Sequence, residues 1–216
     1  MATFALISEG LTDQIILERI INQICGEDGV DVNPLQPLRD ATEAVTAPHG
    51  GWELVLEYCA IRVEDALAAN DYVVIHIDTD QGDHPNFGLG LTDKGAERSY
   101  DALVADAIEI IGRRIGLEFY RAHIERFLFA ISVHTMESWL LLYLFDHNEP
   151  KNSLDRLNRH LRKRNRKVLV KEAPSYLKVA CQIKRKRLLI LSTGHHSLGV
   201  FLAKLVSLSD RCSAGT

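Results

Sequence analysis

Cysteine is scarce in this chain, and the few present do not pair in sequence. Cys25, Cys59, Cys181 and Cys212 show no CxxC spacing. A disulfide framework or a structural zinc site is therefore not expected, and a reducing, cytoplasmic setting fits best. Long apolar runs are missing too. The longest near the middle, Ser138 to Phe145, is far shorter than the ~20 residues a membrane-spanning helix needs. The opening MATFALISEG has no basic stretch ahead of its apolar residues, and Glu9 interrupts it, so no secretory signal is expected. Neither a GxGxxG nor a Walker A sequence occurs, which argues against a bound nucleotide cofactor. No Ser-His-Asp or Cys-His constellation can be argued. What remains is an ordinary globular composition, 46% hydrophobic and 25% charged over 216 residues, enough for one α/β domain with a substantial core.

Charge is plentiful but unevenly spread. Residues 1–155 hold 10 Lys/Arg against 27 Asp/Glu, while residues 156–187 hold 13 Lys/Arg against Glu172 alone. A basic block behind an acidic domain suggests a polyanionic partner. Arg162, Lys163, Arg164, Arg166, Lys167, Lys171 and Lys178 are its candidate nucleic-acid-binding residues. The competing reading is a solvated helix that neutralises its acidic neighbour.

The hydrophobic pattern alternates between strand and helix. Thr3 to Ser8 reads as a short strand closed by Glu9-Gly10. A helix follows from near Thr12, whose hydroxyl would cap it, with Ile16, Leu17, Ile20, Ile21 and Ile24 on one face. Val30 to Leu35 reads as a second strand ended by Pro34 and Pro37, followed by a loop through Thr46, Pro48, Gly50 and Gly51. Trp52 to Ala69 has helical spacing and leads into a strand at Tyr72 to Ile77. His84 to Lys94 reads as a loop, Ala96 to Ile115 as a helix, Phe127 to Val133 as a buried strand, and Met136 to Phe145 as an apolar helix. Basic helices are expected over Leu154 to Arg166 and Tyr176 to Arg187, with a last apolar helix within Ser192 to Leu208. The pattern predicts a mostly parallel sheet of about four strands with helices on both faces. It would occupy residues 1–150, with 151–216 as a basic helical extension packed on the same domain.

The stretch DYVVIHIDTDQGD, residues 71–83, concentrates the chemistry. A buried β-branched run ends in Asp78-Thr79-Asp80, placing two carboxylates over one sheet edge. Crowded carboxylates suit a hard divalent cation with oxygen ligands, although Asp and Gly also dominate ordinary acidic turns. Functional groups of open parallel sheets gather beyond the strands' C-terminal ends. Glu9, after the first strand, and Glu137, after the strand ending at Val133, belong to that edge. Asp13 lies four residues after Glu9 on roughly the same helical face, although acids also favour helix N-termini through the dipole. His76 reads as a packed strand residue. His84 and His134 lie near the expected site, and His195-His196 has no partner spacing for zinc.

Glu9-Gly10-x-Thr12-Asp13 followed by Asp78-x-Asp80 resembles the Toprim domain. With HTMESWLLL at residues 134–142, the ordered set is most similar to small stand-alone Toprim proteins related to OLD-family nucleases, and to the DUF4276 family. The resemblance covers about residues 1–145. It departs from the pattern at Asp83-His84-Pro85, leaving Asp83 without a role carried over. The resemblance implies a Toprim-like (Rossmann-like) fold and Mg²⁺- or Mn²⁺-dependent phosphodiester cleavage of DNA or RNA. Glu9 and Asp13 would hold one ion, Asp78 and Asp80 another, and Glu137 would bind or orient either. Glu9 would serve instead as general acid or base in a one-metal mechanism. Lys171 or Lys178 would assist by neutralising charge. A bacterial anti-phage defence or toxin setting with an ATPase partner protein is also implied.

Two other classes compete. One is a different DxD enzyme, a nucleotide-sugar transferase or a phosphatase. The other is a non-catalytic subunit whose basic block touches nucleic acid or a partner.

Overall fold

A computed structural model describes residues 1–26, 29–39 and 51–214, the last four of these by backbone only. The loop expected through Thr46, Pro48 and Gly50 lies outside the described residues. The strands β1 (Ala2–Ile7), β2 (Val30–Gln36), β3 (Tyr72–Asp78) and β6 (Phe127–Ser132) form one parallel sheet in the order β2-β1-β3-β6. Helices cover both faces, as in Rossmann-like folds. The α/β class and the strand number follow the hydrophobic pattern.

Strand parity sorts the core. Phe4, Leu6, Val74, Leu128 and Ala130 face one layer. It contains α1 (Leu11–Cys25), α6 (Met136–Phe145), α7 (Ser153–Lys163), α8 (Ala173–Ala180), α9 (Arg185–Leu191) and α10 (Ser197–Ala214). Ala5, Ile7, Val73, Ile75, Ile77 and Ile131 face the other, made by α2 (Trp52–Ile61), α3 (Val63–Ala69), α4 (Tyr100–Ile115) and α5 (Leu117–Ala122). The C-terminal third thus shares a core with α1 and α6: Trp139 of α6 stacks on Phe201 of α10 at 5.7 Å.

Several local expectations are corrected. Gly10, not Thr12, is the N-cap of α1, and it makes no side-chain capping bond. A Cβ at Gly10 would stand 3.1 Å from Asp13 Oδ2, so glycine leaves room for that carboxylate. β2 continues through Pro34, because an edge strand tolerates a missing ladder donor. α4 starts at Tyr100 rather than Ala96. Ser99 caps it by accepting from the Ala102 amide, while Ala96–Glu97 (β5) pairs with Thr92–Asp93 (β4) as a hairpin. The predicted helix over 176–187 is two helices, α8 and α9, split at residues 181–184.

Candidate active site

β1 leads into α1 on one face of the sheet, whereas β3 is approached from α2 and α3 on the other. The gap between the C-terminal ends of β1 and β3 is therefore a topological switch point, where open α/β sheets form their crevice. Glu9 and Asp78 meet there: the Asp78 amide donates to Glu9 Oε1 at 2.7 Å. Beyond the sheet, the loops after β3 and β6 are tied together. The Thr79 amide donates to Ser132 O, the Asp80 amide to His134 O at 3.1 Å, and the His134 amide to Thr79 Oγ1 at 2.8 Å.

Asp13 comes from the first turn of α1 and Glu137 from the first turn of α6; both are buried, at 8% and 3% exposure. Asp78 leans toward the same layer. Its Oδ1 is buried and has no hydrogen-bond partner among the described residues. Asp80 is exposed at the rim, where its charge still acts on Asp78. Asp83 is taken up otherwise: its Oδ1 accepts from the Leu91 amide at 2.7 Å and shapes the loop. His84 is exposed and rests against Trp52. His196 Nδ1 accepts from the Gly199 amide in the first turn of α10.

The electrostatics are those of crowded, desolvated acids. Burial, reinforced by the Asp78 charge, pushes Glu9 up to about 8. Burial pushes Asp13 up to about 7, with Asp78 and Glu137 adding to the rise and His76 opposing it. Asp78 is raised well above the usual carboxylate range by burial and by Glu137 and Asp80. Lys171 opposes these rises from the solvent side, its Nζ 3.9 Å from Glu137 Oε1 and its charge acting on Asp13 and Asp78.

Three participants escape a reading of the sequence. Tyr176 on α8 is fully buried and donates its hydroxyl to Glu137 Oε1. Burial and the Glu137 charge raise its phenol further, so it stays protonated. Ser132 stands opposite Asp78 in the β3–β6 register. His76 stands beside both, its Nε2 3.0 Å from Ser132 Oγ and 3.3 Å from Asp78 Oδ1. Parity is the available signal for His76: it lies two residues before Asp78 on one strand and so shares its face. Nothing in the sequence points to Tyr176, which is 39 positions from Glu137.

The basic residues do not stay together. Arg164 lies over the Phe145 ring, 4.7 Å from its centroid, at the far end of α6. Phe145 stands eight positions after Glu137 along the helix, roughly 12 Å away. Arg162, Lys163, Arg164, Arg166 and Lys167 are all exposed around that far end. The chain then turns back along α7, where Leu169 pairs through its backbone N–H and C=O with Asn158, and reaches Glu137 at Lys171. Lys178 is exposed on α8, two residues from the inward Tyr176 and so on another side of that helix.

The donor set is all oxygen, with one unsatisfied buried carboxylate oxygen and several acids held above their usual range. That chemistry fits a hard divalent cation. Among the described residues, however, no three His, Cys, Asp or Glu side chains form a ready-made metal cage. No protein-family model, curated protein or solved structure was found to match the chain.

Proposed function

We propose that the chain is a Toprim-like, Mg²⁺- or Mn²⁺-dependent nuclease acting on DNA or RNA. The observation that supports this best is the meeting of Glu9, Asp13, Asp78 and Glu137, from three separate parts of the sequence, around the switch point of the sheet. Glu9 and Asp13 would hold one ion, Asp78 and Asp80 the other, and Glu137 would orient either. Bound there, the ions would supply an activated water and stabilise charge on the phosphodiester oxygens.

The chain's own groups have separate tasks. Lys171 Nζ faces Glu137 from the solvent side and would draw in the phosphate and offset its negative charge. Tyr176 holds Glu137 in one orientation by donating to Oε1. In the one-metal alternative Glu9 would not hold an ion: pushed up to about 8, it would keep a proton near neutral pH, and with Oε1 accepting from the Asp78 amide, Oε2 would deliver it to a leaving group.

The second reading, a binding subunit without catalysis, draws on the lack of a preformed three-ligand group among the described residues. One experiment separates the two. Purified protein is incubated with plasmid, single-stranded DNA and RNA in Mg²⁺, Mn²⁺ or EDTA. The nuclease reading expects cleavage only with metal, abolished in Asp78→Ala and Asp80→Ala while both variants melt no lower than wild type without metal. Slowed migration with intact nucleic acid under every condition would favour the binding subunit.

A further inference from the structure

His76 is a buried polar group that the proposed chemistry leaves without a task. It is 0% exposed in the middle of the sheet, flanked along β3 by Ile75 and Ile77. Burying an imidazole in such surroundings is costly unless both nitrogens are satisfied. Only one is, among the described residues: Nε2 lies 3.0 Å from Ser132 Oγ, while Nδ1 has no hydrogen-bond partner there. An aliphatic side chain would remove that cost.

Each nitrogen lies near a different acid without hydrogen-bonding to it. Nε2 lies 3.3 Å from Asp78 Oδ1, and Nδ1 lies 3.9 Å from Asp13 Oδ2. Asp78 ends β3, whereas Asp13 belongs to α1. The ring is fixed from behind by Trp139, which meets it edge-on at 6.4 Å, is stacked on Phe201, and bonds through Nε1 to Ser197 Oγ at 2.8 Å.

We infer that His76 is a positioning residue: its ring stands between Asp13 and Asp78, holds the two carboxylates apart and so sets where their oxygens meet a divalent cation. The inference rests on the metal-dependent reading above. It also accounts for the acids not closing into one group, since a ring occupies the space between two of them. Groups that hold metal-binding side chains in place usually change metal affinity about 10–100-fold when removed.

The test needs no nucleic acid. Mn²⁺ is titrated into wild type, His76→Phe and His76→Gln, with free Mn²⁺ followed by its paramagnetic resonance signal, and each protein is melted without metal. His76→Phe removes an unsatisfied nitrogen but orphans Ser132 Oγ, so its melt serves to show that it folds, and the folded variant should bind Mn²⁺ at least about 10-fold more weakly. His76→Gln keeps one donor and should lose less. Should His76→Phe fail to fold, His76→Gln alone decides, being weaker than wild type if the inference holds. Variants that bind Mn²⁺ as tightly as wild type would overturn it and leave the nuclease reading standing. A wild type that binds no Mn²⁺ would remove the metal reading itself, and the inference with it.

Discussion

Glu9 and Asp13 give the molecule a pH dependence of definite sign. In the unfolded chain they titrate at their ordinary values, 4.5 and 3.8, and in the folded chain at about 8 and about 7. The folded state therefore holds these protons more tightly. Stability falls with rising pH wherever the folded state binds more protons, so their contribution is lost between about pH 4 and about pH 8. Asp78 acts in the same direction. On the proposed metal-dependent reading, a cation would bind the deprotonated carboxylates and reverse the loss. Asp13→Asn isolates the effect from the rest of the chain. Without metal it should raise the melting temperature more at about pH 8 than at about pH 5.5, by about 2–4 °C for each kcal/mol relieved. Mg²⁺ should stabilise wild type more at the higher pH. Equal shifts at both pH values would show that Asp13 is not held above its ordinary range. The acids are visible in the sequence as types in a pattern, but their burial is not, because it depends on α6 and α8 closing over them. His76 hides for the same reason: a histidine inside an apolar strand looks like packing until its neighbours across the sheet are known.

At the scale of elements, the strands are legible as short continuous apolar runs, as sheets covered on both faces require, and α1 and α4 by their 3.6-residue spacing. The breaks are not. Arg62 separates α2 from α3 without a glycine or proline, and the hairpin β4–β5 has only two-residue strands, too short for any pattern. The path of the basic segment is also hidden, since its charges are contiguous in sequence yet spread from one end of α6 to the other. That spread separates two roles that one block would have merged. Neutralising Arg162, Lys163, Arg164, Arg166 and Lys167 should weaken nucleic-acid binding and flatten its salt dependence, by about 0.7–0.9 in log–log slope for each phosphate no longer neutralised. Lys171→Met should cost at most one such step in slope while lowering cleavage more than binding. The measurement is affinity against salt, set beside single-turnover cleavage. An unchanged slope in the five-site variant would mean that the basic segment only solvates α7.

Over the whole molecule, the sheet is the partition between two apolar layers, and α6 shows how far the C-terminal third belongs to one of them. Met136, Trp139, Leu140, Leu141 and Phe145 are all buried, so the helix has no solvent face of its own. It is covered by α1, α7, α8, α9 and α10 together. Phe201, stacked on Trp139 and 1% exposed, is central to that cover. Phe201→Ala should cost about 3–5 kcal/mol and lower the melting temperature by roughly 10 °C at about 2–4 °C per kcal/mol. The chain's two tryptophans report on opposite layers: Trp139 packs among the C-terminal helices, and Trp52 stacks on Phe87 at 5.2 Å on the other side. Trp52→Phe and Trp139→Phe each leave one reporter. Because both layers rest on the same four strands, neither can keep its core once the sheet is lost. The two reporters should therefore follow a single urea transition with one midpoint, and Phe201→Ala should move that midpoint equally for both. A Trp139 signal that melts first, with Trp52 unchanged, would show instead that the helical layer unfolds from an intact sheet, and would make the carboxylate site, which draws Glu137 and Tyr176 from that layer, the first part of the molecule to be lost.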